Sequence, residues 1–400
     1  MGSGLIVSVA YFDPGNWGTD IAGGASFNYN LLWVVWLACG MAMLFQYLSG
    51  KLGIAGYSLP ELVKEKIKNK YLVFSYWILA EIAILATDLA EFLGIVVALN
   101  LLFGIPLLLG TFVAIADVLL LLFLTQKRFR ILEKIFIIFV TIVGFGYVYE
   151  LFISKPDISL ILIHSVKPIL SKQSALIAVG IIGATVMPHA LFVHSWLIKN
   201  KLIGSNFGNK LKTLRYHLID NIFSLTIAGF INAAIIIMAA AAFYKNGINV
   251  ATLDQAYTTL IPLFGKFAAL VFALALLSAG ISSSVTGTLA GQSVMDGLTG
   301  FKIPLWVRRV ITRVINLIPL TIAIIIGIDP LRMLVLSQVA LSLLIPLPLI
   351  PLIIYTADKN IMKELVNKKI TTIFAVIFGL VILGFNAYLL YQVLFQGVGI

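Results

Sequence analysis

Long apolar runs, each closed by a short polar break, recur from one end of this 400-residue chain to the other. A run of about 18 or more apolar residues, coiled as an α-helix, matches the hydrocarbon core of a bilayer. The pattern predicts eleven such helices, near residues 3–27, 30–50, 72–100, 106–125, 132–153, 174–198, 214–243, 263–294, 304–327, 331–355 and 371–394. Together they make one all-α membrane domain over residues 1–400. Spans one to five (3–153) and six to ten (174–355) read as two five-helix halves, with 371–394 as an extra C-terminal helix. The longest polar loops, around 199–213 and 356–370, are short, and no soluble domain is expected.

Two of the runs are broken in the middle. Tyr11-Phe12-Asp13-Pro14-Gly15-Asn16 interrupts span one, and Gly183-Ala184-Thr185-Val186-Met187-Pro188-His189 interrupts span six. Proline lacks an N–H, so the carbonyl four residues earlier loses its helical partner. Pro14 frees the carbonyl of Ala10, and Pro188 frees that of Ala184. Broken backbone at membrane depth survives only where it lines a cavity or binds something. Interrupted helices at matching positions of two halves point to the central site of a secondary transporter.

Composition agrees with this class. Hydrophobic residues make up 60% of the chain, against about 45–50% in soluble domains, and charged residues only 11%, against about 25%. The single cysteine, Cys39, excludes a disulfide framework and Cys-based metal sites. The first run lacks a basic leader segment and carries a polar break, so it is not read as a signal peptide. The net charge of +11 reflects loop topology, so no nucleic-acid partner is expected. The flanks at 51–70, 127–134, 199–215, 302–313 and 359–369 hold all but six of the 28 Lys and Arg; the six are Lys155, Lys167, Lys172, Lys245, Lys266 and Arg332. Positive residues stay on the cytoplasmic side. The bias therefore predicts a multi-pass protein of the cell membrane, with its N-terminus cytoplasmic and its C-terminus outside.

The donors at the two breaks narrow the ligand. Asp13 offers a hard anionic oxygen and Asn16, one turn on, an amide oxygen. The freed carbonyls of Ala10 and Ala184 are neutral oxygens, and Met187 brings a polarizable thioether. Oxygen alone suits Mg²⁺ or Ca²⁺. A thioether shifts the set toward Mn²⁺, Fe²⁺, Co²⁺ or Cd²⁺.

Asp13-Pro14-Gly15-Asn16 and Met187-Pro188-His189 resemble motifs of the Nramp divalent-metal transporters. So do the stretch from Gly280 to Gln292 (GISSSVTGTLAGQ), Gln46 to Gly53, and Ser337-Gln338-Val339. The resemblance runs from about residue 4 to 355. It implies a leucine-transporter-type fold of two inverted five-helix repeats with helices one and six broken, and proton-linked uptake of Mn²⁺ or Fe²⁺. It implies as ligands Asp13, Asn16, Met187 and the Ala184 carbonyl, joined in some conformations by the Ala10 carbonyl and Gln338. Ala190 departs from the family, which usually has Asn after the His. A related Mg²⁺-handling branch lacks the span-six methionine, and Met187 argues against it. The metal is cargo and the proton its companion, so no cofactor is expected, and the working form is expected to be a monomer.

Span three carries Glu81, Asp88 and Glu91, spaced by two turns and then one, on a single helix face. Intramembrane carboxylates mark ion or proton pathways. Asp88 and Glu91 read as a proton relay; the resemblance supports both, with Arg313 as their partner. Glu81, placed toward the outer end, reads equally as a relay group or a structural partner of Arg313. His189 reads as a proton-path or gating residue and His194 as either a relay or a hydrogen-bonded core histidine. His164 and His217 are assigned to loops or their edges. Asp20 sits in the outer half of span one, where it can attract cations. Asp117, Glu150, Asp220 and Asp329 are read as structural or interfacial.

The competing reading is an organic-solute transporter of the same fold, such as one for amino acids, in which free helix ends hold the substrate carboxylate. Asp13 would repel that group and Met187 would give it nothing. A channel or metal sensor fits two midplane breaks less well. An enzyme is not expected, because no nucleophile arrangement, phosphate loop or zinc-type histidine pair is present.

Overall fold

A computed structural model describes residues 11, 13–118, 138, 141, 144–146, 148–202, 210–248 and 252–396. Within them the chain is helical. The helices that matter here are α1 (Pro14–Phe27), α2 (Leu32–Ala55), α3 (Leu59–Lys66), α4 (Lys70–Phe103), α5 (Leu107–Ala114), α6 (Ile158–Val166), α7 (Ala175–Val186) and α8 (Pro188–Leu202). They continue with α9 (Lys210–Ala242), α10 (Leu253–Phe264), α11 (Lys266–Thr299), α12 (Leu305–Ile325), α13 (Pro330–Leu344), α14 (Pro346–Ala357) and α15 (Lys369–Phe395).

Seven helical stretches among the described residues are long and apolar enough to cross a membrane. The first, 14–55, holds two of the expected spans, joined by a 3₁₀ turn at Asn28–Leu31. The second part of the expected span four, half of span five and most of the first half of span one lie outside the described residues. Three helices were not expected: α3, α6 and α10 have 8, 9 and 12 residues, too few to leave a spanning signature.

The break in span six is where the sequence places it. α7 ends at Val186, α8 starts at Pro188, and Met187 between them has φ 50°. A methionine in the left-handed region costs about 1–3 kcal/mol, a strain that clusters at functional sites. Of the break in span one, the second half is described: Asp13 is extended and caps α1, which begins at Pro14. Proline at a first helical position loses no hydrogen bond and is preset for the helix.

The broken pieces sit at the centre. α1 packs on α9, α13 and α7, while α7 and α8 pack on α13, α2 and α11. Glycine permits the closest approaches. At Gly183 a Cβ would stand 2.0 Å from the Gln338 carbonyl, so α7 and α13 meet backbone to backbone there.

α12 is inside out by the standards of a water-soluble helix. Arg308, Arg309, Thr312, Arg313 and Asn316 form one buried face, while Ile311, Val314, Ile315, Ile318, Ile322 and Ile325 are exposed. In a lipid surround the apolar face belongs outside and the ionisable groups turn to the bundle interior. This corrects the reading of Arg308 and Arg309 as loop-flank charges. It also places Glu81 nearer the basic 51–70 segment than the outer end, since α4 starts at Lys70.

Candidate metal site and its charged surround

Asp13 is a helix cap before it is anything else. Its Oδ2 accepts from the Gly15 amide at 3.2 Å and its Oδ1 from the Asn16 amide at 3.0 Å. These N–H groups open α1 and have no partner inside the helix, so a side-chain oxygen there is stabilising, and the helix dipole favours negative charge. The carboxylate is only 2% exposed.

Asn16 ties that cap to the break in span six. Its Nδ2 donates to Asp13 Oδ1 at 2.6 Å, to the Ala184 carbonyl at 3.1 Å and to the Tyr11 carbonyl at 3.4 Å. The Ala184 carbonyl is the one that Pro188 strips of its helical partner. Its sequence neighbour Met187 is buried. Gln338 of α13 closes another side. A Cβ on Gly15 would stand 2.1 Å from Gln338 Nε2 and 2.7 Å from Asp13 Oδ2, so only glycine lets this amide lie beside the carboxylate. Gln338 Nε2 donates to Ser337 Oγ at 3.0 Å, and Gln338 Oε1 has no partner among the described residues.

The structure thus brings Asp13, Asn16, the Ala184 carbonyl and Gln338 together from three elements, with Met187 at the helix break three residues past Ala184. Ala10 lies outside the described residues. Such a set, one carboxylate with neutral oxygens and one thioether, can hold a divalent ion of intermediate softness.

His189 opens α8 beside this cage. Its Nδ1 lies 2.9 Å from Thr87 Oγ1, and that hydroxyl donates its one proton to the Ala83 carbonyl at 3.0 Å. The hydroxyl therefore accepts from His189, which sets a proton on Nδ1. Thr87 precedes Asp88 on α4, so His189 joins the cage to the charged surround.

That surround is a buried ion network between α4 and α12. Asp88 Oδ1 accepts from Arg309 Nη1 and, at 3.2 Å, from Arg313 Nη1; its Oδ2 accepts from Asn316 Nδ2 at 2.8 Å. Asp117 Oδ2 accepts from Arg309 Nη2 and Arg313 Nη2, both at 2.5 Å. Glu81 accepts from Arg308 Nη2, and from Trp77 Nε1 at 3.0 Å. Glu91 stands apart. Its Oε2 lies 3.7 Å from Arg309 Nη1 and has no hydrogen-bond partner among the described residues. A Cβ on Gly287 would stand 2.9 Å from that oxygen, which explains one glycine of the GISSSVTGTLAGQ stretch.

Some expected pairings change. Arg313 does reach Asp88, but Glu91 faces Arg309 and Glu81 pairs with Arg308. Arg308, Arg309, Asp117 and Asn316 were missed as network members. Their spacing at 308, 309, 312, 313 and 316, one helical stripe, was the available signal. His194 belongs to another cluster: its Nδ1 is 2.8 Å from Gln46 Oε1 and its ring meets His217 edge-on at 5.0 Å. His217 is not at a loop edge but buried within α9, stacked on Tyr47 at 6.0 Å. Asp20 is buried with no partner for either oxygen among the described residues. Thr185 and Asn232, which touch Asn16 Oδ1, had no sequence signal beyond being polar in apolar runs.

Known proteins are similar to this chain in sequence and fold. The Nramp (natural resistance-associated macrophage protein-like) family profile matches residues 4–392. The divalent metal cation transporter MntH of Deinococcus radiodurans is 42% identical over 396 residues, 98% of this chain and 90% of that protein. MntH of Yersinia pestis is 44% identical over 399 residues, 98% and 95% of the two chains. A crystal structure of the Eremococcus coleocola manganese transporter superposes with a TM-score of 0.86 at 31% identity, covering 98% of this chain and 85% of that one. A closed nucleobase-cation-symport-1 family transporter gives 0.55 at 15% identity, over 98% and 89% of the chains, a likeness of fold alone. The fold is leucine-transporter-type, as the family resemblance implied. With its length covered almost end to end by that profile, the chain belongs to the Nramp family of multi-pass membrane transporters.

Proposed function

We propose that this protein is a secondary active importer of divalent transition-metal ions. It carries Mn²⁺ and Fe²⁺, and with them Co²⁺ and Cd²⁺, into the cytoplasm together with protons. Access alternates about a site between the start of α1 and the α7–α8 break. The observation that carries the reading is the meeting of one capped carboxylate, Asp13, with a proline-freed carbonyl, Ala184, beside a strained methionine at position 187. Hard oxygen and soft sulfur in one buried cage suit borderline divalent ions better than Ca²⁺ or Mg²⁺. The relatives named as divalent metal cation transporters and the manganese transporter structure point the same way.

The ligands are Asp13, Asn16, Met187 and the Ala184 carbonyl, with Gln338 and the Ala10 carbonyl entering in part of the cycle. Protons travel by Glu91, with His189 and Asp88 beside it. The protein works as a monomer in the cell membrane, N-terminus inside and C-terminus outside. The test is isothermal calorimetry of Mn²⁺ with purified protein, paired with Mn²⁺ uptake and internal pH in proteoliposomes. Asp13→Ala is expected to abolish Mn²⁺ binding, since it removes the one anionic ligand. Wild-type affinity in that variant would refute the site.

A further inference from the structure

The Asn16 amide is engaged at both ends. Its Nδ2 faces the oxygens of Asp13, Ala184 and Tyr11, while its Oδ1 accepts from Thr185 Oγ1 and from Asn232 Nδ2, both at 3.2 Å. Every atom near Nδ2 is an acceptor and both partners of Oδ1 are donors, so this orientation is the one the surroundings select. It is also the wrong one for a metal. The N–H end occupies the oxygen cage, and an amide NH₂ has no lone pair to give a cation. For Asn16 to ligate, its amide must make a half-turn.

The half-turn has a consequence at the other end. Nδ2 would then point at Thr185 and Asn232. The Thr185 hydroxyl can rotate and accept. Asn232 now presents its own Nδ2, and donor would face donor. Yet Asn232 holds an acceptor in reserve. Its Oδ1 is buried and has no partner among the described residues, in a residue 1% exposed. A buried carbonyl oxygen without a partner is free to take a donor when one turns toward it. The distance between the helices is fixed: two turns beyond Asn16, a Cβ on Gly24 would stand 2.4 Å from the Ile236 carbonyl of α9. Asn232 therefore cannot drift away from the pair.

We propose that Asn232 is a positioning residue for the metal site, and that Asn16 and Asn232 turn their amides together when a divalent ion enters. In the arrangement of the structure Asn232 donates to Asn16 Oδ1. In the loaded site Asn232 Oδ1 accepts from Asn16 Nδ2, which holds Asn16 Oδ1 on the ion. The inference rests on the site proposed above. It adds a selectivity threshold: the entering ion must displace an internal N–H donor from Asp13, which a monovalent cation does less well than a divalent one.

The experiment is a double-mutant cycle read by Mn²⁺ calorimetry on the purified full chain. Asn232→Leu keeps the volume and removes both polar ends. It is expected to weaken Mn²⁺ binding about threefold to tenfold, the worth of one hydrogen bond. In an Asn16→Ala background the same change is expected to do nothing, because there is no amide left to position. Asn232→Asp can only accept, so it favours the turned Asn16 amide and is expected to bind Mn²⁺ at least as tightly as wild type. That rescue is expected to vanish in Asn16→Ala. Effects of Asn232 that are the same with and without Asn16 overturn the proposal, since they would be packing or plain charge attraction. Should Asn232→Leu fail to fold, the Asp variant and its Asn16→Ala partner carry the same comparison. Asp13→Ala separates the two levels. If it leaves Mn²⁺ affinity intact, the site itself is wrong; if it abolishes binding while Asn16 and Asn232 remain uncoupled, only the paired turn falls.

Discussion

Glu91 and Asp88 lie one turn apart on α4, and neutralising them should have opposite consequences. Arg309 and Arg313 face three carboxyl groups, Asp88, Asp117 and Glu91, while Arg308 and Glu81 close as a pair of their own. Two guanidinium charges balance two carboxylates, and the third carboxyl is the one available to carry a proton. Asp88 is a poor choice, because both its oxygens hold donors and a proton there must displace one of them. Glu91 Oε2 accepts no hydrogen bond among the described residues.

The magnitudes follow from the distances. At an effective dielectric constant of about 20, unit charges at the 3.2 Å separating Arg313 from Asp88 attract by about 5 kcal/mol. Removing one partner of a buried pair typically costs about 3–5 kcal/mol. Asp88→Asn should thus lower the thermal transition of the detergent-solubilised protein by about 5 °C. Glu91→Gln loses no hydrogen bond and only the longer 3.7 Å approach to Arg309, so its transition should move less, by no more than about 2 °C. In proteoliposomes with a pH dye inside, Glu91→Gln should nevertheless lose most of its Mn²⁺-driven proton uptake while binding Mn²⁺ normally. Wild-type proton uptake in Glu91→Gln, or an unmoved transition in Asp88→Asn, would refute the charge count.

Two further outcomes test the cage. Met187→Ala should keep the oxygen ligands and lose the soft one, so Cd²⁺ affinity should fall while Ca²⁺ and Mg²⁺ compete better in calorimetry; unchanged discrimination would make Met187 a packing residue. Gly15→Ala drives a methyl group into Gln338 Nε2 and should weaken Mn²⁺ binding by displacing that amide; combined with Gln338→Ala, which vacates the space, the added effect of the methyl group should largely disappear.

The long helices of the described residues were legible because the bilayer demands long apolar runs, and the α7–α8 break was legible because Pro188 has no N–H to give. Asp13 and Met187 stood out as polar or polarizable atoms at those breaks. What the sequence hid were partners. Arg308 and Arg309 sit close to a basic flank, where Lys and Arg serve topology, and only their helical register distinguishes them from loop charges. Glu81 was assigned to the wrong end of its helix. Asn232 is one polar residue in a long apolar run, a signal that many buried asparagines share. Which carboxylate meets which guanidinium depends on the packing of α4 against α12, more than 200 residues apart in the chain, and no local pattern encodes it.

The metal cage and the ion network are built on different walls. Asp13, Asn16 and Met187 sit on helix ends created by breaks, where backbone carbonyls and N–H groups supply most of the polarity and one carboxylate supplies the charge. Asp88, Glu91, Arg309 and Arg313 sit on unbroken helices, where every backbone group is already paired and side chains must balance their own charges. A break can open and close as helices tilt, because its bonds are few. A network with two guanidinium groups bonded to the same carboxylates resists such motion. The His189–Thr87 hydrogen bond at 2.9 Å crosses between the two. Motion of α8 relative to α4 must stretch or break that contact, which would free the Nδ1–H of His189. The imidazole is thus placed to register both the position of the broken helix and the charge state of the carboxyl groups one turn away.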